Sequence, residues 1–403
     1  MPGPSPYQDT LTSSCYTSPM PRSARTKPVF YHRDALDTLN GTHPLAAKLS
    51  ALHKLLKRRY PFIARIAVAV YDSKTDLLKT YVDSGISAHP LKQYSAKLSD
   101  VTSLHDTMTR GAPRVVNDLD VFTLSRTEHA TRIREAGYGA SYTLPMFLNG
   151  AFWGFVFFNS RIKHVFTERV LHDLDVFGHL ISLTAISELS SIRVLEASVR
   201  TAADIVHHKD LDTGAHLDRM ANFARLIARK IAVPYGLTDE LIEHIFLFAP
   251  LHDIGKIAIP DDILRKPGAL TDQERTVMRS HTAKGRDIID GMLNNFGLDG
   301  LEHIDMLRNI ALYHHEAMNG SGYPKGLQGE DIPIEARIVA VADIFDALTS
   351  RRSYKERWSN DEAFAMLQRM AGSQIDRSCV EALIAQQRDV EDIQARFKED
   401  PYG

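Results

Sequence analysis

A long helical pattern in the middle of the chain constrains the fold more than any other feature. From Thr167 to about Val206, apolar residues recur at intervals of three and four, and no proline or glycine follows Gly178 in this run. At ~1.5 Å per residue, such a helix is several nanometres long. The pattern predicts a connecting helix over residues 167–206 between two domains, which the length of 403 residues also favours.

The apolar face of this helix needs a partner. It consists of two runs at helical spacing, which are Val170, Leu174, Phe177 and Ile181, and then Ile192, Leu195, Val199, Ala202 and Val206. A parallel coiled coil between two copies of the chain would cover the face, and packing on the chain's own domains is the alternative. We expect a homodimer through the connecting helix.

Composition excludes several classes of protein. Hydrophobic content of 44% and charged content of 24% are typical of a soluble globular protein. A formal net charge of -2 offers no basic excess for binding a nucleic acid polymer. Two cysteines, Cys15 and Cys379, are too few for a disulfide framework. Because no apolar run approaches the ~20 residues of a membrane helix, we expect a cytoplasmic protein without membrane insertion.

The N-terminal half begins with a tail and continues as an α+β pattern. Prolines recur among serine, threonine and glycine in residues 1–28, so we expect a disordered tail there. Leucines at helical spacing between Leu45 and Leu56 predict a helix, and the alternation in Ile66–Val70 indicates a strand. Asn149–Gly150 between two apolar runs predicts a β-hairpin. The first folded domain is therefore predicted over residues 29–187.

This order of elements resembles a GAF domain, a small-molecule sensing module, over about Pro44 to Ser187. The resemblance implies a pocket for an unknown ligand between the sheet and an insertion around Val101 to Tyr138. A dimerisation scaffold without a ligand is the alternative. Cysteine is absent from this region, so a covalently attached bilin is not expected. We expect the aromatic residues of the hairpin to form sheet core, namely Phe152, Trp153, Phe155, Phe157 and Phe158.

Histidine and aspartate accumulate after the connecting helix. Asp212 and His216 are four residues apart, which places both on one helical face. His252 and Asp253 follow an apolar helical stretch, and Lys256 lies four residues beyond His252, so its side chain can project over the same face.

Further candidate ligands follow along the chain. His281 is expected in a helix that opens at Thr271, where Glu274 completes a capping box. Imidazole and carboxylate ligands without cysteine suit iron, manganese, zinc or another d-block ion. The candidates outnumber the ligands of one ion, so two or three neighbouring ions are implied. These later residues are His281, the adjacent pair His314 and His315, Asp343 and Asp346.

The ordered motifs resemble the HD-GYP family, a branch of the HD phosphohydrolase superfamily, over about Ala202 to Gln387. The resemblance is carried by several separated stretches, which include His252-Asp-Ile-Gly-Lys-Ile257, His314-His315-Glu316, Gly322-Tyr323-Pro324 and Ala342-Asp-Ile-Phe-Asp-Ala-Leu-Thr349. It implies an all-α metal-dependent domain over residues 202–403. It also implies hydrolysis of cyclic di-GMP to linear pGpG and, in some members, on to GMP.

Carried over residue by residue, the resemblance assigns two ions, with iron or manganese expected. The ligands of the first are His216, His252, Asp253 and Asp343, and Asp253 bridges to a second ion held by His281, His314 and His315. Asp212 occupies a family position that can hold a third ion. The family often has glutamate there and aspartate is one methylene shorter, so we expect two ions, with a third at Asp212 as the alternative.

The implied reaction also needs residues that handle the substrate. Two neighbouring ions supply a nucleophilic water near neutral pH, and Asp253 and Lys256 are the expected catalytic residues, with Lys256 stabilising the phosphate charge or protonating the leaving oxygen. Asp346 is expected to orient a ligand histidine and is grouped with the residues around the substrate. That group is completed by Gly322, Tyr323, Pro324, Arg352 and Lys355.

Purely structural roles of single residues, and other functions of the whole protein, are alternatives to this assignment. Arg352 and Lys355 have the alternative of a solvated charged face, and Tyr323 has the alternative of packing under its loop. A catalytically silent cyclic di-GMP receptor is the alternative to an enzyme. A phosphodiesterase for another nucleotide, such as cyclic GMP-AMP, is the second alternative.

Overall fold

A computed structural model describes most of the chain. The described residues are 31–32, 34–41, 43–85, 95–122, 128–206, 214–296, 298, 303–350 and 358–398. The predicted tail, Asp212, Arg352 and Lys355 lie outside these ranges. Within them, no helix combines the length and the apolar character that crossing a membrane requires.

The N-terminal part is built on one six-stranded antiparallel sheet. Its strands are β1 (Ile63–Asp72), β2 (Leu77–Asp83), β3 (Ser95–Lys97), β4 (Arg114–Val116), β5 (Ala140–Leu148) and β6 (Ala151–Ser160). They lie in the order β3-β2-β1-β6-β5-β4. Three helices accompany the sheet, α1 (Leu45–Arg59), α2 (Thr102–Arg110) and α3 (Glu128–Glu135). This is the predicted α+β architecture.

Local sequence signals place these elements. Asn149 and Gly150 both have positive φ, 50° and 79°, and they form the two-residue turn between β5 and β6. The buried face of α1 consists of side chains that are 1–2% exposed, namely Leu45, Leu49, Leu52 and Leu56. The helix and the hairpin predicted from the sequence are therefore confirmed.

The two faces of the sheet pack against different elements. Val68 of β1 and Leu144 of β5 belong to the core that includes α1 and the long helix after β6. On the opposite face, Ala69 and Phe155 pack with Leu104 of α2. The insertion between β2 and β5 therefore covers the second face of the sheet, as predicted.

The long helix is present, but its partner differs from the prediction. Helix α4 (Glu168–Val206) has 39 residues, yet the first predicted apolar run is covered by the chain's own sheet. Its buried members are Val170, Leu174 and Ile181, at 8%, 0% and 1% exposure. That run is therefore not a dimer surface. Other apolar residues of α4 face solvent, namely Val176, Leu183 and Val194, at 68%, 59% and 53% exposure.

The C-terminal part consists of helices, as predicted. They are α5 (Gly214–Lys230), α6 (Ala232–Tyr235), α7 (Asp239–Phe248), α8 (Asp261–Leu264), α9 (Asp272–Arg279), α10 (His281–Phe296), α11 (Ile304–Tyr313), α12 (Ile334–Thr349), α13 (Asn360–Met370), α14 (Arg377–Ile384) and α15 (Gln387–Arg396). Helices α5, α7, α11 and α12 contact one another around the core. The predicted capping box at Thr271 and Glu274 is confirmed at the start of α9.

Ion pairs join the sheet to the helical part. Lys79 of β2 donates to Glu243 of α7 with Nζ to Oε1 at 2.6 Å, and both side chains are less than 10% exposed. Lys74, in the turn between β1 and β2, donates to Asp218 of α5 at 2.8 Å. Burial lowers the pKa of Lys79 below its ordinary value, and the carboxylates of Glu243 and Asp72 offset only part of this effect. The β1–β2 hairpin is thus bound through ion pairs to helices α5 and α7.

Candidate metal centre

Two neighbouring groups of potential ligands lie among the C-terminal helices. The first contains His216 from α5, His252 from the turn after α7 and Asp343 from α12. One ligand atom from each lies within 4.8 Å of the others. His216 and His252 are buried, at 5% and 0% exposure. Three separate elements therefore converge on one position.

The second group contains Asp253, His281, His314 and His315, again with ligand atoms within 4.8 Å of one another. The expectation that His281 shares the helix opening at Thr271 is wrong. Helix α9 ends at Arg279, and His281 is the first residue of α10. This break turns the His281 side chain into the group, where its Nε2 lies 3.5 Å from Nε2 of His314.

Asp253 lies between the two groups. Its Oδ1 is 3.1 Å from Nε2 of His281 and 3.5 Å from Nε2 of His314. Its Oδ2 is 3.2 Å from Nε2 of His252. One carboxylate oxygen therefore faces each group, which is the arrangement that a bridging ligand needs.

Hydrogen bonds fix the orientation of four histidine rings. Backbone carbonyl and carboxylate oxygens only accept, so each Nδ1 is the donor and each Nε2 is the ring nitrogen left for a ligand bond. The acceptors are Asp346 Oδ2 for His216 at 2.6 Å, the Ala249 carbonyl for His252 at 3.0 Å, the Met278 carbonyl for His281 at 2.8 Å and the Ile310 carbonyl for His314 at 2.9 Å.

The donor set fits metal ions. Nε2 of His252 and Oδ1 of Asp253 are buried and make no hydrogen bond, and such atoms are costly unless a cation satisfies them. Burial alone would raise the pKa of Asp253, but Lys256 and His252 hold it well below its usual value. Burial opposes protonation of His252, yet the Asp253 carboxylate raises its pKa to about 9. Metal binding at this centre is therefore coupled to proton release.

Asp346 supports the centre from behind. It is 0% exposed, and its carboxylate accepts bonds from His216, from Arg219 at 2.6 and 2.9 Å and from the Ser350 hydroxyl at 2.9 Å. The expectation that it orients a ligand histidine fits these contacts. Its grouping with substrate-binding residues does not, because its carboxylate oxygens are buried and occupied.

Arg219 is a supporting residue that the sequence-based assignment missed. Its guanidinium also donates to the Phe397 carbonyl at 3.0 Å and to the Ser350 hydroxyl at 2.6 Å. It thus ties Asp346 to the C-terminal end of the described chain. Its spacing of three residues from His216 on α5 was the available signal, since such residues share a helical face.

The Gly-Tyr-Pro turn lies against the second ligand group. The Tyr323 ring stacks on His315 with centroids 4.8 Å apart, and its backbone N–H donates to the His315 carbonyl at 3.1 Å. The guanidinium of Arg279, at the end of α9, lies 5.0 Å from the centroid of the Tyr323 ring. A Cβ on Gly322 would come within 2.5 Å of Glu316 Cα, so only glycine allows this approach.

Glu316 holds this turn and was also missed as a separate functional residue. It is 6% exposed, and its carboxylate accepts the backbone N–H groups of Lys325 at 2.7 Å and Leu327 at 3.0 Å. Hydrogen bonds from the backbone to a buried carboxylate are strong. The signal was its position directly after the histidine pair.

Lys256 and Gly255 shape the turn after Asp253. Lys256 Nζ lies 2.9 Å from Asp253 Oδ2. A Cβ on Gly255 would lie 1.8 Å from the His281 carbonyl oxygen. The missing side chain therefore lets the turn pack directly on the start of α10.

Comparison with known families identifies the helical part. Residues 202–379 match the family model of the HD domain. The C-terminal region of this chain therefore carries an HD domain, a class that binds divalent metal ions, and the two groups of potential ligands described above lie within the matched residues.

Curated proteins similar to the chain include two phosphodiesterases. The chain is 46% identical over 195 residues to the cyclic di-GMP phosphodiesterase response regulator RpfG of Xanthomonas campestris pv. campestris, covering 48% of this chain and 49% of that protein. It is 37% identical over 214 residues to 3'3'-cGAMP-specific phosphodiesterase 2 of Vibrio cholerae, covering 52% and 39%. The chain spans about half the length of the curated relatives it matches.

Solved structures similar to the chain include GAF domains. One is the GAF domain of a phosphoenolpyruvate-protein phosphotransferase from Coxiella burnetii, with 13% sequence identity and a TM-score of 0.32. The match covers 39% of this chain and 91% of that one.

Proposed function

We propose that the chain is a metal-dependent cyclic-dinucleotide phosphodiesterase of the HD-GYP type. The observation that carries this proposal is the position of Asp253, with one carboxylate oxygen toward each of two ligand groups. A bridged pair of ions suits in-line attack on a phosphodiester, because both the attacking and the leaving oxygen need stabilisation.

The residues proposed to hold the metal ions are those assigned from the sequence. His216, His252 and Asp343 would hold one ion, His281, His314 and His315 would hold the other, and Asp253 would serve both, with iron or manganese as the proposed metal. Bound ions would supply a water of lowered pKa and positive charge for the phosphate oxygens. Asp212 remains the proposed position for a third ion.

The chain's own residues handle the substrate around these ions. Lys256 Nζ lies 2.9 Å from Asp253 Oδ2. From there its ammonium group can stabilise negative charge on phosphate or donate a proton to the leaving ribose oxygen. The turn formed by Gly322, Tyr323 and Pro324 is proposed to contact the bound nucleotide. Arg352 and Lys355 are proposed to contact its phosphates.

Cyclic di-GMP is the proposed substrate, with pGpG as the first product and GMP as a further one. Support comes from RpfG, the relative with the higher identity of the two described above. A 3'3'-cGAMP phosphodiesterase is the second candidate, because relatives with that printed activity also match the chain at 30–37% identity. A silent cyclic di-GMP receptor is less well supported, since binding alone does not require two complete ligand groups.

Turnover by purified, metal-loaded protein tests this proposal. We expect cleavage of cyclic di-GMP to pGpG, followed by chromatography, and a slower reaction with 3'3'-cGAMP. Asp253→Ala should abolish cleavage and reduce bound metal, because it removes the bridging ligand. Asp305→Ala is the matched control, since the Asp305 side chain is 86% exposed and pairs with Arg308 at the protein surface. Binding of cyclic di-GMP without cleavage by the wild-type protein would refute the enzyme.

We further propose a homodimer through a second face of α4. Val176, Leu180, Leu183 and Val194 lie at positions compatible with spacings of four and three, with Ser187 and Ser190 between them. This stripe differs from the predicted one, and a parallel partner helix would cover it. Leu183→Glu should convert a dimer to a monomer in light scattering. A wild-type monomer would contradict the proposal.

Regulation and location complete the proposal. The sheet domain is proposed to regulate the metal centre through the contacts of Lys74 and Lys79 with α5 and α7. A cytoplasmic location is proposed because the chain has only two cysteines and its proposed substrate is a small nucleotide messenger.

A further inference from the structure

A buried polar patch lies on the face of the sheet that the insertion covers. In the register of the sheet, Arg114 of β4 is opposite Thr143 of β5, and Ser141 of β5 is opposite Asn159 of β6. Asn159 is in turn opposite Arg65 of β1. All five residues lie on the same side as Phe155, because side chains alternate along strands. The patch therefore crosses four strands in two adjacent rows.

Part of this patch is internally satisfied. Arg65 donates to Asp83 at 3.1 Å and to Asn159 at 3.4 Å. Asn159 donates from its amide to the Ser141 hydroxyl at 3.1 Å. The Arg65–Asp83 pair is neutral as a unit, so this row brings no net charge to the patch.

The other row carries an uncompensated positive charge. Nε and Nη1 of Arg114 are buried, and neither has a hydrogen-bond partner. Within the part of the chain that the structure describes, no carboxylate pairs with Arg114, and burial alone lowers its pKa. Opposite it, the Thr143 hydroxyl is 0% exposed and also has no partner. Nε of Arg65 is a further buried donor without an acceptor.

A partly buried guanidinium without a counterion is costly, and so is each buried donor without an acceptor. A single anionic group between Arg114 and Thr143 removes both costs, because its oxygens accept from the guanidinium and from the hydroxyl. Apolar residues of two hydrophobic clusters lie next to the patch. On one side they include Phe155 and Phe157, and on the other Leu119 and Val116.

We propose that Arg114 and Thr143 form a binding site for a small organic anion that carries one carboxylate or phosphate group. One net positive charge selects a single negative charge, and the apolar neighbours favour a ligand with a short carbon skeleton. This assigns a ligand class to the pocket that the sequence analysis expected between the sheet and the insertion. The assignment does not depend on the phosphodiesterase activity.

Thermal unfolding of the full-length protein tests this site. Sodium acetate and inorganic phosphate are each titrated at constant chloride concentration and ionic strength. The midpoint of wild-type protein should rise and saturate with at least one of the two anions. Arg114→Met should abolish that rise, and Thr143→Val should weaken binding about tenfold, since it removes one hydrogen bond to a charged group. Arg110→Met, at an exposed position at the end of α2, should behave as wild type.

Two readouts keep the result interpretable. Phosphate bound at the metal centre contributes equally in all four proteins, so only the difference between variants reports the proposed site. Without added anion, Arg114→Met should unfold at a temperature equal to or above that of wild type, because it removes an uncompensated buried charge. A lower midpoint for Arg114→Met, or equal anion-dependent shifts in wild type and Thr143→Val, would overturn the proposal.

Discussion

Replacing Asp346 with asparagine tests how the metal centre is supported. The carboxylate accepts four bonds, from His216, from two nitrogens of Arg219 and from Ser350, at 2.6 to 2.9 Å. Asparagine keeps one acceptor oxygen but turns an amide N–H group toward other donors. Breaking a buried ion pair by removing one partner costs about 3–5 kcal/mol. Asp346→Asn should therefore lower the free energy of unfolding by roughly that amount.

The same substitution should weaken metal binding. His216 loses the acceptor that fixes its Nδ1 proton, and loss of such an orienting partner typically costs about 10–100-fold in metal affinity or activity. Urea denaturation measures the stability change, and titration of metal-stripped protein with elemental analysis measures the affinity. Asp305→Asn is the control on an exposed carboxylate. Unchanged stability and affinity within about twofold would show that Arg219 and His216 do not depend on Asp346.

Three further changes test other parts of the structure. Burial lowers the pKa of His244 to about 4 in the folded protein, against ~6.5 in the unfolded chain. Below about pH 6.5 the unfolded chain therefore binds one more proton than the folded protein, and the free energy of unfolding should fall by about 2 kcal/mol between about pH 7.5 and pH 5. His244→Phe should abolish this loss in urea denaturation. Glu316→Gln should raise KM for cyclic di-GMP about tenfold with metal content unchanged, because the turn loses charge-assisted bonds. A decrease in bound metal would contradict that role. Gly255→Ala should unfold or strip the centre, since its Cβ would meet the His281 carbonyl at 1.8 Å, whereas Gly291→Ala in α10, with nothing within 4 Å, should stabilise by about 1 kcal/mol. Equal melting temperatures of these two variants would refute the packing argument.

Local patterns carried the predictions that the structure confirms. The spacing of Leu45 to Leu56 depends only on helix periodicity, and Asn149–Gly150 depends only on the φ angles of a two-residue turn. The convergence of histidines and aspartates was expected from the order of several motifs. The first two signals, and each motif of the third, lie within a few residues of sequence, so a single chain displays them.

Features that depend on distant contacts were not accessible in this way. The apolar run at Val170 to Ile181 had the correct period, but the period does not state which surface covers it. The break at Ser280 before His281 was missed because both flanking segments are helical. Arg114 offered no signal at all, since its isolation depends on burial between strands that are separated in sequence.

The ion pair between Lys79 and Glu243 affects how these two domains can be recombined. Both side chains are buried where the sheet meets the helical part, 164 residues apart in the chain. A helical fragment expressed alone would expose Glu243 to water, and a fusion to a foreign sensor would leave Glu243 facing a surface without its lysine. Exchange of modules in chains of this design therefore requires a matched pair of residues at the junction, in addition to a linker helix of suitable length.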